Sequence, residues 1–102
     1  MTTTEQVMEQ LRTVIEPEIG LPMTDLGLIY GVSLENEGKT AIVKMTLTTP
    51  MCPMAPYIME MVRQAAMRTE GIEDASVELV WDPPWDLRTM ASEEARILLG
   101  GW

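Results

Sequence analysis

The only cysteine of this chain, Cys52, lies in a stretch whose residue types could do chemistry. Thr48 and Thr49 precede it, Pro50 and Pro53 flank it, and the stretch joins a predicted strand to a predicted helix. A helix N-terminus favours the thiolate, which is the nucleophilic and metal-binding form of cysteine. The alternative is that Cys52 is a small buried hydrophobic residue, as lone cysteines often are. The residues alone leave both alternatives open.

Carboxylates form the second candidate group. Glu16 and Glu18 enclose Pro17 in a predicted loop, and Asp25 follows shortly after it. If this loop folds over the Cys52 turn, thiolate and carboxylates share one pocket, and iron accepts both kinds of ligand. The alternative is that the two glutamates are solvated loop residues and that Asp25 caps a turn.

Several kinds of site are excluded by the residues that are missing. The chain has no histidine, so it cannot form a Cys–His nucleophile or a zinc site of mixed cysteine and histidine ligands. One cysteine also cannot supply the four thiolates that an iron–sulfur cluster normally takes. Transient iron or a cluster at Cys52 would therefore need ligands from a second chain, a partner or carboxylates, and no catalytic residue is assigned.

The segment from Trp81 to Trp85, with two prolines at its centre, is the third candidate. Tryptophan is favoured both in partner-binding surfaces and as a lid on a hydrophobic core. Trp85 is accordingly either a docking residue for a partner protein or a lid over the core, and the residues favour neither alternative.

Length and charge set the class of protein. The 102 residues suffice for one domain, which we expect to span residues 1–102. The net charge of −9, with only seven Lys and Arg, argues against a nucleic-acid partner. No apolar run reaches membrane-spanning length and the N-terminus lacks a secretion signal, so a cytoplasmic location is expected.

Hydrophobic periodicity and turn residues predict an α+β fold with the element order α-β-β-α-β-α. Two strands, residues 28–34 and 40–48, should form an antiparallel hairpin around a polar turn containing Gly38. A long helix over about residues 53–69 and a third strand over 75–81 follow, giving a small mixed sheet with helices packed on it. Leu28, Tyr30, Val32 and Leu34 are expected to share one face, and a short helix after Ser92 is expected to bury Ile97 and Leu98.

Four sequence blocks resemble the SufT/PaaD-like family, which is also described as the metal–sulfur cluster biosynthesis family. The resemblance spans about residues 7–90, and the blocks are Glu16–Ile19, Asp25–Tyr30, Met45–Pro53 and Trp81–Trp85. It implies a compact α+β domain that acts in iron–sulfur protein maturation, as an accessory or targeting factor without turnover of its own. It also implies scaffold, carrier or client proteins of that pathway as partners.

The resemblance also assigns the candidate residues. The family's characteristic cysteine corresponds to Cys52, and its threonine pair corresponds to Thr48 and Thr49. Its acidic loop corresponds to Glu16 and Glu18, and its Asp-Leu-Gly block corresponds to Asp25. Glu16 stands where the family usually has aspartate. The chain also lacks the cysteine-bearing C-terminal extension of the phenylacetate branch, which favours a general assembly role.

The leading hypothesis from the sequence is an iron–sulfur assembly accessory factor with a reactive Cys52 in a pocket of threonines and carboxylates. The alternative is a protein–protein interaction module in which Cys52 is structural and partners dock through the Trp85 region. A weaker third hypothesis is an enzyme whose thiolate does redox or transfer chemistry. A homodimer would allow two chains to share one cluster.

Overall fold

A three-stranded sheet with helices packed against it forms the centre of the molecule. The computed structural model describes residues 2–17, 20–47 and 53–100. In chain order the elements are α1 (Thr4–Leu11), α2 (Met23–Leu26), β1 (Ile29–Glu35), β2 (Thr40–Met45), α3 (Ala55–Met67), β3 (Asp74–Leu79), α4 (Leu87–Met90) and α5 (Glu93–Gly100). The predicted α+β order is confirmed, and within the described residues α2 and α4 are additional helices of four residues each.

The sheet is mixed, as the hairpin-plus-strand prediction requires. Strand order is β1-β2-β3, with β1 antiparallel and β3 parallel to the central strand β2. The hairpin turn has three consecutive residues with positive φ, Asn36 at 52°, Glu37 at 60° and Gly38 at 84°. A parallel neighbour requires a crossover connection, and α3 supplies it between β2 and β3.

The helix boundaries follow from local capping and proline chemistry. Thr3 accepts a hydrogen bond from the Gln6 N–H, and the Gln6 side chain accepts one from the Thr3 N–H, which makes a capping box at the start of α1. Pro56 occupies the first turn of α3, where the missing N–H costs no helical hydrogen bond.

The core lies between one face of the sheet and helices α1 and α3. Val43 and Met45 of β2 are fully buried, and Ile58 and Val62 of α3 are buried with them. On the opposite face of β2, Lys44 is exposed. The alternation of buried and exposed residues along β2 is therefore that of a sheet covered on one side.

A β-bulge corrects the predicted face of β1. Ile29 pairs with Met45, but Gly31 pairs with Lys44, so Tyr30 is an extra residue in the ladder. The shift places Ile29 rather than Tyr30 on the core face with Val32. The prediction that Tyr30 shares the face of Val32 is therefore wrong, because periodicity of two carries no information about an inserted residue.

The prediction that α5 buries Ile97 is wrong, and the Leu98 side chain lies outside what the structure describes. Ile97 is 60% exposed, whereas Ala91 and Ala95 are 8% and 1% exposed. The Ser92 N–H donates to the Asp25 carbonyl at 2.7 Å, so α5 begins directly beside α2. Small side chains suit such a close approach, and the larger Ile97 lies on the outer side. Over the residues that the structure describes, no helix combines the length and apolarity needed to cross a membrane.

Candidate functional site

The predicted thiol site lies partly outside the described residues. Thr48, Thr49, Cys52 and Glu18 belong to the part of the chain for which no placement is given. The structure does describe the elements on either side of residues 48–52, which we call the thiol segment. β2 ends at Met45 before this segment, and α3 begins at Ala55 after it.

The end of β2 lies beside the start of β1. The Thr46 N–H donates to the Leu28 carbonyl at 2.8 Å, just beyond the last ladder pair of the hairpin. Leu47 is 4% exposed, so the chain is still part of the core when it reaches the thiol segment. The predicted antiparallel hairpin requires the start of β1 to lie beside the end of β2, and the hydrogen bond shows that juxtaposition.

Glu16 is buried rather than solvated. It is only 4% exposed, and its loop is closed by its N–H donating to Leu21 and its carbonyl accepting from Gly20, at 2.9 and 2.7 Å. Ile15 and Pro22 make an isolated antiparallel bridge that holds the two ends of the loop together. A buried carboxylate is costly unless it is paired or hydrogen-bonded, so a freely solvated loop residue is the wrong description of Glu16.

The residues that lead into Glu16 face α3 across a groove. The groove has a volume of about 370 Å³ and includes Val14, Ile15, Tyr57 and Met61 in its lining. The Arg68 guanidinium donates to the Thr13 hydroxyl at 2.8 Å and ties the far end of α3 to the same segment. Ile15 and Tyr57 are 44% and 56% exposed, so the rim of this groove is apolar.

Asp25 lies in α2, half-buried, on a different element from Glu16. Its carbonyl is the acceptor for Ser92, which links α2 to α5. Its neighbour Gly27 ends α2 with φ 77°, the left-handed conformation that favours glycine. The backbone of the Asp-Leu-Gly block thus joins α2, β1 and the C-terminal helices.

Trp85 is half-buried against the core, and its indole N–H donates to the Leu26 carbonyl at 2.7 Å. This geometry matches the lid alternative of the sequence analysis. The exposed aromatic residue in this region is Trp81, which is 42% exposed.

Two hydroxyl groups near the thiol segment were missed by the sequence analysis. The Tyr30 hydroxyl donates to the Pro83 carbonyl at 2.8 Å and lies 3.4 Å from the Met90 sulfur. Burial raises the pKa of the Tyr30 phenol, and the nearby Thr46 hydroxyl partly offsets that rise. Thr46 itself is fully buried, and its hydroxyl makes no hydrogen bond of full geometry. The threonine-rich run before Cys52 was the available signal for Thr46, whereas Tyr30 required knowledge of the bulge.

Tyr30 also lines a cleft of about 570 Å³. Lys44 and Asp82 contribute opposite charges to its walls, and Ile29 and Val80 contribute apolar surface. The cleft lies where the segment after β3 crosses back to β1.

The charges on α3 are partly paired. Arg63 donates to the two carboxylate oxygens of Glu60 at 3.0 and 2.8 Å, and the Gln64 amide donates to Glu60 at 2.7 Å. These hydrogen bonds, chiefly that from Arg63, lower the pKa of Glu60 to about 2. Within residues 2–17, 20–47 and 53–100, no group of three Asp, Glu, His or Cys is arranged to hold a metal ion. Cys52 and Glu18 lie outside those ranges.

Comparison with known proteins defines the family. The model of the iron–sulfur cluster assembly protein family matches residues 4–79. The chain is 41% identical over 96 residues to the Fe-S protein maturation auxiliary factor YitW of Bacillus subtilis, covering 94% of this chain and 92% of that protein. It is 42% identical over 87 residues to the Fe-S protein maturation auxiliary factor SufT of Staphylococcus aureus, covering 85% of this chain and 97% of that protein.

The fold is also found in solved structures. A crystal structure of a domain of unknown function from Bacillus anthracis superposes with a TM-score of 0.86 at 34% identity, covering 95% of this chain and 91% of that one. The chain therefore belongs to the iron–sulfur cluster assembly protein family. The predicted resemblance and the predicted accessory role in iron–sulfur protein maturation are both confirmed at this level.

Proposed function

We propose that the chain performs its accessory role through the Cys52 thiolate, which binds iron, a cluster or a partner's thiol as cargo in transit. Iron–sulfur scaffold, carrier or client proteins supply the remaining ligands. The relatives named as Fe-S protein maturation auxiliary factors support a role in iron–sulfur protein maturation. The position of Cys52 within residues 4–79, which match the family model, supports the choice of this residue.

The observation that carries this proposal is that the segment before Glu16 and the side of α3 that begins with Tyr57 line one groove. Cys52 precedes α3 by three positions in sequence, and Glu18 follows Glu16 by two. Thiolate and carboxylates are both accepted by iron. A site with both thiolate and carboxylate ligands needs the loop of Glu16 and Glu18 to lie beside α3, the helix that follows Cys52.

Each proposed residue has a separate role. Thr48 and Thr49 donate hydrogen bonds to the bound species, because hydroxyl donors stabilise a thiolate or an oxygen or sulfur ligand. Glu16, Glu18 and Asp25 set the charge and shape of the pocket. One thiolate holds a cluster weakly on its own, which suits a factor that must release what it receives.

The test replaces Cys52 by serine in cells whose only copy of the gene is the variant. We expect the activity of client iron–sulfur enzymes to fall to that of cells lacking the protein, with the variant present at normal level. Ser33→Ala, an exposed change in β1 away from the thiol segment, is the matched control and should leave client activity intact. Unchanged client activity in the Cys52→Ser cells would remove the thiol from the proposal.

The alternative of docking through Trp85 has weaker support, because the ring is half-buried and its N–H is already bonded to Leu26. Trp85→Phe keeps most of the buried ring and removes that donor. If it abolishes client maturation while Cys52→Ser does not, the docking alternative replaces the thiol proposal.

A further inference from the structure

The outer edge of β3 has backbone groups that pair with no strand among the described residues. In the parallel ladder, the Asp74 N–H donates to Lys39 and the Val80 N–H donates to Met45. The even-numbered residues of this strand therefore direct their N–H and C=O groups towards β2. The odd-numbered residues, among them Val77 and Leu79, direct theirs away from the sheet. β3 is the last strand in the sheet order, so no described strand pairs with them.

The first outward-facing N–H of this edge already has a hydrogen-bond partner within the chain. The Ala75 N–H is bonded to the Asp74 carboxylate at 2.9 Å. The free donors begin after it, at Val77 and Leu79. Edge strands are usually protected by proline, lysine, a bulge or a covering element. β3 has no proline or lysine, and the described chain after it crosses to Tyr30 and Leu26 on the opposite side of the sheet.

An apolar groove runs along the same edge. It has a volume of about 420 Å³ and is lined by Ala55, Pro56, Met59 and Val77, together with the paired Glu60 and Arg63. A strand added beside β3 would direct every second side chain into this groove. Because Ala55 begins α3, one end of the groove lies where the thiol segment joins the helix.

The open face of the edge is acidic. Asp74, Ser76 and Glu78 alternate with the core-facing residues, and all three are exposed. Glu73 adjoins them, while Lys44 is opposite Glu78 in the ladder and Arg63 lies near Asp74. Carboxylates thus outnumber cations around the edge by four to three, counting Glu60, Glu73, Asp74 and Glu78 against Lys39, Lys44 and Arg63.

We propose that the β3 edge binds an extended segment of a partner protein that alternates apolar and basic side chains. The backbone of the segment pairs with Val77 and Leu79, its apolar side chains enter the groove beside Met59, and its Lys or Arg side chains face Asp74 and Glu78. Strand addition to an exposed edge is a general mode of peptide recognition. A second copy of this chain is disfavoured, because it would bring the same carboxylates against each other.

The role of this surface follows from its position. A partner held at the β3 edge has one end beside Ala55, which follows Cys52 by three positions in sequence, so the edge would serve to present a client or carrier to Cys52. That use rests on the proposed function, whereas the binding itself does not require the thiol.

The first test measures binding of a fluorescein-labelled peptide of alternating valine and lysine to the purified protein. We expect Val77→Pro, which removes an outward N–H and leaves the β2 ladder intact, to weaken binding about tenfold or more. Val77→Ala keeps the N–H and should weaken binding less. A peptide of alternating valine and glutamate, and a valine–lysine peptide methylated on alternate backbone nitrogens, should both bind much more weakly.

The second test does not depend on a variant folding. Amide hydrogen exchange should slow at Val77 and Leu79 when the valine–lysine peptide is added, while Ser76 and Glu78, already bonded to β2, change little. Equal binding of the methylated peptide, or no added protection at Val77, would overturn the proposal. So would a dimer that dissociates on Val77→Pro, since the edge would then be a contact between copies.

The two proposals fail separately. Cys52→Ser should bind the peptide normally but lose client maturation. If Cys52→Ser keeps client maturation while Val77→Pro loses it, docking stands and the thiol role fails. If the peptide tests fail while Cys52→Ser loses maturation, the thiol role stands and the edge proposal fails.

Discussion

Thr46 has a buried hydroxyl that no described residue satisfies with a hydrogen bond of full geometry. It lies immediately after β2, fully buried, two residues before the thiol segment, and its hydroxyl has no hydrogen bond of full geometry. Leaving a buried polar group unpaired costs about 1–3 kcal/mol, whereas an apolar group of the same shape avoids that cost. Its neighbour Tyr30 donates its hydroxyl proton to the Pro83 carbonyl. The Thr46 hydroxyl partly offsets the rise that burial causes in the Tyr30 pKa, without forming a hydrogen bond of full geometry.

Thr46→Val should therefore raise the free energy of unfolding by up to about 1 kcal/mol. Thr46→Ser keeps the hydroxyl but removes a buried methyl group, and should lower it by about 1 kcal/mol. Urea denaturation followed by circular dichroism measures both variants. If valine proves less stable than serine, the hydroxyl has a partner that stabilises the fold, and Thr46 belongs with the functional threonines.

Residue types were enough to propose a candidate site, but they did not predict the environment of its residues. The cysteine, the threonine pair and the acidic residues stand out by type and spacing, and the resemblance assigned them. The burial of Glu16 could not be read from its sequence neighbours, because Pro17 and Gly20 are typical of an exposed loop. It results from the bridge between Ile15 and Pro22, which is a contact within the folded loop.

At the scale of the elements, Gly27 decides how closely the C-terminal helices approach α2. Its φ is 77°, and a Cβ built there would overlap the Met90 carbonyl oxygen. Gly20 has a similar φ of 83°, but a Cβ there would meet no described atom within 4 Å. Substitutions at the two glycines therefore distinguish the cost of backbone strain, present at both positions, from the cost of a steric overlap, present only at Gly27.

Gly27→Ala should lower the free energy of unfolding by about 3 kcal/mol or more, because it adds an overlap with Met90 to the cost of a positive φ. Gly20→Ala should cost only about 1 kcal/mol, since it adds the φ strain alone. Thermal unfolding monitored by circular dichroism compares them directly. Equal losses would show that α4 moves away freely and that the close approach does not stabilise the fold.

The long elements were predictable and the short ones were not. Alternation predicted β1, β2 and β3, and helical spacing predicted α3, because each covers enough residues to show its period. α2 and α4 have one turn each, so no hydrophobic period can distinguish them from loop. The bulge at Tyr30 and the exposure of Ile97 depend on pairing and packing between distant parts of the chain.

At the scale of the whole molecule, charge repulsion is the dominant long-range feature. The chain has 16 Asp and Glu against seven Lys and Arg, giving a net charge of −9. Like charges on one small domain destabilise its compact state, and dissolved salt screens them.

The midpoint of thermal unfolding at pH 7 should therefore rise as sodium chloride is increased from about 0.01 M to about 0.1 M, over which the screening length falls from about 30 to about 10 Å. Potassium chloride should have the same effect, because screening depends on ionic strength. A midpoint that falls with salt would mean that attractive pairs such as Arg63 with Glu60 outweigh the repulsion.

The fastening of Trp85 to Leu26 affects where the chain can be shortened. The match to the family model ends at residue 79, yet the donor for the Leu26 carbonyl and the acceptor for the Tyr30 hydroxyl both come from later residues. A truncation after Leu79 would remove Trp85 from the core and leave the Leu26 carbonyl and the Tyr30 hydroxyl without their hydrogen-bond partners. The smallest autonomous unit of this chain is therefore longer than the segment by which its family is defined.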